Sequence, residues 1–130
     1  ILHEIWNQRV DLVGNQADVV PWLQAFDIFA LPSYANEGVP QALMQAMACG
    51  LPCVTTAVGA IPELAKNEIT ARVVRPQDTQ SLAIALTKLL ADAQLRTKLG
   101  EAARKLVVET HGRELMLDRM ASLFSKARNS

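Results

Sequence analysis

No apolar run in this 130-residue chain approaches the length of a bilayer span, and no basic stretch leading into a signal-like apolar core opens it. A spanning helix or a secretory leader is therefore not expected. An excess of charge of either sign is also missing: 13 Lys and Arg balance 13 Asp and Glu, so nothing points to nucleic acid or an anionic membrane as the main partner. Any anion site must be local. Cysteine is scarce. Cys49 and Cys53 sit at a helix end and in an apolar strand, which suits buried thiols better than a disulfide framework and fits a reducing cytoplasm. Their C-x3-C spacing lacks the second Cys/His pair of a four-ligand site, so no metal is expected. Repeats, low-complexity segments and linkers are absent too.

What is there is 50% hydrophobic and 20% charged, enough for one globular domain with a sizeable core over residues 1–130. The chain opens at Ile1, inside a helical pattern, and reads as a piece of something longer.

Short apolar runs alternate with amphipathic stretches. Residues 10–13, 27–31, 53–55 and 71–74 read as buried strands, being short, rich in β-branched or aromatic residues and bounded by turn formers. Helical patterns over 18–26, 40–49 and 62–66 separate them. Strand and helix alternating at this spacing predict a parallel sheet with right-handed crossovers, whose ligands bind beyond the carboxyl ends of the strands. From Asp78 the chain becomes helical throughout. Asp78 and Asp92 are expected N-caps, with Leu82, Leu86 and Leu89 on the face of the first helix and Leu95, Leu99, Ala102 and Leu106 on that of the second. A last helix is expected from about Gly112, with Met116, Leu117, Met120, Leu123 and Phe124 on its apolar side.

The chemistry concentrates in SYANEGVPQALMQAMACGLPCV, residues 33–54. Proline is favoured at the first helical position, which makes Pro40 the helix start and Val39 the N-cap. Valine carries no oxygen to accept the amides of Gln41, Ala42 and Leu43, so the positive end of the helix presents free donors. Gly38 clears the approach to the backbone. An anion would fit there, and so would water. Glu37 would repel a bare phosphate but suits hydroxyl donors such as a sugar. Gln41 and Gln45 form a polar stripe opposite Leu43, Met44 and Met47, either as ligand contacts or as a solvated face.

The stretch resembles the signature of the family 4 (group 1) retaining glycosyltransferases. VDLVG, FDIFALPSYANEGVPQALMQAMACGLPCVTT, VGAIPEL, VVRPQD and LLADAQLRTKLGEAAR all stand in that family's order. The resemblance implies a Rossmann-like three-layer α/β domain with a parallel sheet followed by C-terminal helices, the nucleotide-sugar-binding half of a GT-B fold. It implies a cytoplasmic enzyme of glycan biosynthesis that transfers a sugar, with retention, from a nucleotide-diphosphate sugar, with no metal or resident cofactor.

Carried over by position, Glu37 matches the catalytic glutamate that contacts the donor sugar. Gly38, Val39, Pro40, Gln41, Ala42 and Leu43 match the diphosphate-binding backbone. Gln45 stands where the family has a second glutamate on the ribose, keeping one acceptor oxygen but losing a carboxylate's charge-assisted pairing. Gly14 and Asn15 match the loop near the nucleobase. In GAIPE, Ala60 replaces a family glycine, and Glu63 is read as structural.

The Arg/Lys pair that the family uses on the leaving diphosphate is absent, as is the N-terminal acceptor domain, so the fragment alone is expected to be inactive. The implied partners are that domain, through which the protein could associate with a membrane, and an acceptor that is a glycan, a lipid-linked sugar or a small molecule. The exposed apolar last helix implies self-association of the fragment. A nucleotide-sugar epimerase of the same fold and a non-catalytic nucleotide-sugar-binding module are the alternatives.

Overall fold

The computed structural model describes residues 9–35, 38 and 40–128, with side chains described as far as residue 116. Three short strands, β1 (Phe29–Leu31), β2 (Cys53–Thr56) and β3 (Arg72–Val74), form a parallel sheet in the order β1-β2-β3. Helix α1 (Val20–Ala25) precedes β1, and α2 (Gln41–Ala48) crosses from β1 to β2. A 3₁₀ turn (Ile61–Glu63) lies between β2 and β3. Helices α3 (Thr79–Ala91) and α4 (Ala93–Arg128) complete the chain. No helix among the described residues is long and apolar enough to cross a membrane.

Strand β2 is buried along its whole length, as expected of a central parallel strand covered on both faces. Its successive side chains point to opposite sides, which makes two cores. Cys53 joins Leu43, Met44, Met47, Ile61 and Leu64 on one side, where Ala103 and Val107 of α4 close the cluster. Val54 joins Ala85, Leu89 and Leu99 on the other. Helix, sheet and helix thus form three layers, the expected α/β architecture. Burial alone pushes the Cys53 thiol up to about 12, so it stays protonated and packs as a small apolar group. Neither cysteine is in a disulfide.

Helix α2 ends in a Schellman turn: the N–H of Gly50 bonds to Met47 O at 3.0 Å and that of Leu51 to Ala46 O at 3.1 Å. Gly50 has φ +78°, a left-handed conformation that favours glycine. Gly100 of α4 lies against this turn so closely that a Cβ on it would overlap the carbonyl oxygen of Gly50.

Several sequence expectations are corrected. Residues 10–13 form no strand, and Leu12 is 80% exposed. A strand needs a partner for its backbone groups, and none of the described residues offers one to this segment. The expected helix over 62–66 is only a 3₁₀ turn; the chain beyond it is held by Thr70, whose hydroxyl donates to Leu64 O at 2.7 Å and accepts from the Lys66 N–H at 2.9 Å. The expected break near Gly112 does not occur, because α4 runs unbroken from Ala93. A mid-helix glycine costs only about 1 kcal/mol, and Leu115 beyond it still packs against the first core. Met116 is 59% exposed; Leu117, Met120, Leu123 and Phe124 lie outside the described side chains.

Candidate functional site

The carboxyl ends of β1 and β2 face the start of α2. Here the N-cap is Pro40, one residue later than expected, and Gln41 is the first helical residue. Pro40 has φ −72° and ψ 127°, which leaves it outside the helix while its carbonyl accepts the Met44 N–H at 3.1 Å. The correction leaves the chemistry intact, since a proline side chain has no acceptor either. Among the described residues no side chain caps this terminus, and its first turn contains no acidic residue. The amides of Gln41, Ala42 and Leu43 are the donors that such a terminus leaves without intrahelical partners.

Burial sorts the residues of α2. Leu43, Met44, Ala46 and Met47 are in the core, so Leu43 can offer a ligand only its amide. Gln41 and Ala42 are exposed and Gln45 is half-buried. Ala42 and Gln45, three residues apart, share a face. That face lines a cavity of about 320 Å³ together with Gly14, Asn15, Trp22 and Phe29. Four of the residues expected at the site, Gly14, Asn15, Ala42 and Gln45, are thereby brought to one cavity. Pro40, Gln41 and Leu43 do not line it. Gly38 is exposed, and among the described residues nothing lies within contact of a Cβ placed on it. Glu37 and Val39 lie outside the described residues.

Gly14 has φ +66°, and beside it the Gln16 side-chain amide donates to Val13 O at 2.7 Å. The aromatic wall of the cavity, Trp22, Phe26 and Phe29, was not singled out from the sequence. The spacing of Trp22 and Phe26, four apart and both exposed, is the signal that could have found it. Glu63 lies exposed in the first turn of the 3₁₀ segment, as a residue favoured by a helix start would. Among the described residues, no group of three or more His, Cys, Asp or Glu is placed to hold a metal ion.

An open-edged parallel sheet with a helix start at its carboxyl edge, and a cavity running from that helix along the edge strand to Phe29, is the architecture of a Rossmann-like domain. The family described as Glycosyl transferases group 1 matches residues 2–92, and the chain belongs to that family. It is 34% identical over 116 residues to N-acetyl-alpha-D-glucosaminyl L-malate synthase of Bacillus anthracis, covering 89% of this chain and 30% of that protein. The chain therefore spans about a third of the length of that relative. Its fold matches sucrose-phosphate synthase of Thermosynechococcus elongatus with a TM-score of 0.79 at 30% identity, over 98% of this chain and 33% of the other. It also matches Anabaena HepE in complex with UDP, with a TM-score of 0.79 at 24% identity, over 96% of this chain and 36% of that one.

Proposed function

We propose that this chain is the donor-binding part of a glycosyltransferase that takes its sugar, with retention, from a nucleotide-diphosphate donor. The observation that carries the reading is the uncapped start of α2 at the carboxyl edge of the sheet, continuous along one helix face with the cavity that Gln45, Gly14 and Asn15 line. The UDP held by Anabaena HepE supports the ligand class.

In this reading the amides of Gln41, Ala42 and Leu43 and the helix dipole hold the diphosphate. Preorganised donors of this kind stabilise charge that develops on a leaving group without reorganising during the reaction. Gln45 reaches the ribose, offering one acceptor and two donors to a diol. Gly14 and Asn15 flank the nucleobase, and Glu37 accepts from the hydroxyls of the donor sugar. The acceptor lies outside the groups described.

Titration of the full chain with UDP, and separately with inorganic diphosphate, tests the assignment by backbone and side-chain amide shifts. Both ligands should move the Gln41, Ala42 and Leu43 amides, and only UDP should move the side-chain amide of Gln45. Shifts confined to a surface remote from α2 would overturn it.

A further inference from the structure

Strand β1 stops pairing at Leu31, whose ladder partner is Thr55. Pro32 follows and has no N–H with which to continue. Past that point the chain is held by side chains of β2. The Thr55 hydroxyl donates to Leu31 O at 2.9 Å, and the Thr56 hydroxyl donates to Ser33 O at 2.7 Å. Both threonines are fully buried, at 0% and 1% exposure. The main chain of Thr56 is meanwhile paired with Val74 of β3, so its hydroxyl projects from the centre of the sheet.

A buried strand position does not need that hydroxyl. Valine has the same branched shape and a similar strand preference, and it avoids the cost of taking a polar group out of water. What the hydroxyl adds is a directed bond to one carbonyl, and that carbonyl stands four positions before Glu37 and seven before Pro40.

We infer that Thr56 is a positioning residue: its hydroxyl fixes the carbonyl of Ser33, and so the point from which the 34–40 segment sets out toward the start of α2. The effect on ligand binding rests on the donor-binding reading above; the anchoring does not. The bond spans 23 residues of sequence, so it ties the entry of the site segment to the central, fully buried strand of the sheet rather than to its own neighbours.

The test compares Thr56→Val, which keeps the shape, with Thr56→Ser, which keeps the hydroxyl, in the full chain. Amide hydrogen exchange in peptides spanning residues 33–40 should quicken about five- to tenfold in Thr56→Val and stay within about twofold of wild type in Thr56→Ser, with α3 unchanged in both. UDP affinity should fall about fivefold in the valine variant and be restored by serine. Unchanged exchange at 33–40 in Thr56→Val, or equal acceleration throughout the chain, would overturn the inference. If wild type binds no UDP while the exchange pattern holds, the anchoring stands and the donor-binding reading fails.

Discussion

The two ends of α2 are built on opposite plans. At its C-terminus every feature closes: Gly50 turns left-handed, two backbone bonds return to Ala46 and Met47, and Gly100 of α4 presses on the turn with no space for a methyl group. At its N-terminus a proline supplies no cap, Gln41 and Ala42 are exposed, and a cavity opens along the Ala42–Gln45 face. The chain is able to cap helices elsewhere. Asp78 accepts the Ser81 N–H at the start of α3 at 3.0 Å, and Asp92 accepts the Leu95 N–H at the start of α4 at 3.0 Å. The two helices that follow the sheet, α3 and α4, are thus sealed at their starts by aspartate side chains, whereas the N-cap residues of α2 and of α1, Pro40 and Val19, supply no side-chain cap.

The strongest way to break this contrast is at the closed end. Gly100→Ala would force α4 off the Gly50 carbonyl, costing about 3 kcal/mol in urea unfolding because neither backbone can retreat without disturbing a core. A cost near that of an ordinary surface substitution would mean that the two elements are not locked together.

The open end can be closed instead. Pro40→Asp places a carboxylate at the N-cap, where it accepts the amides otherwise left for a ligand. It should lower UDP affinity about tenfold or more while leaving the protein at least as stable, read by calorimetric titration and thermal melting. An unchanged affinity would show that the anion does not sit there.

The smallest effect is expected at α3. Backbone and side-chain hydrogen bonds from Ser81 hold the Asp78 carboxyl below its ordinary value of 3.8. A depressed carboxyl contributes stability above its unfolded-state value, and that contribution is lost as pH falls through the lower folded-state value. Asp78→Ala should therefore melt slightly below wild type at neutral pH, with UDP affinity unchanged, and the difference should vanish in acid below that range. A difference that persists there would assign it to packing rather than to the cap.

Local chemistry carried most of what the sequence made legible. The turn formers around β1, β2 and β3, the aspartates before α3 and α4, and the lack of an acceptor at the start of α2 are all readable from a few adjacent residues. What escaped was non-local. Residues 10–13 have the composition of a strand, but strand formation depends on a neighbour that composition cannot supply. Gly112 looks like the start of a separate last helix until Leu115 is seen against the core and α4 is seen to run through it. The bonds from Thr55 and Thr56 join residues 24 and 23 positions apart, and Gly50 meets Gly100 across 50 positions. Of the aromatic wall of the cavity, Trp22 and Phe26 are within reach of local spacing, but their meeting with Phe29 depends on how α1 and β1 are brought together.

The contact between Gly50 and Gly100 also has a mechanical consequence. Helix α4 is 36 residues long, and the contact lies near its beginning, so it divides the helix into a short arm and a long one. At 1.5 Å per residue the long arm, from Gly100 to Arg128, measures about 42 Å and the short arm to Ala93 about 10 Å. Ala103, Val107 and Leu115 hold that long arm against the first core, so a load on the end of the helix meets the core at Leu115, about 20 Å from Arg128, before it reaches the Gly50 turn.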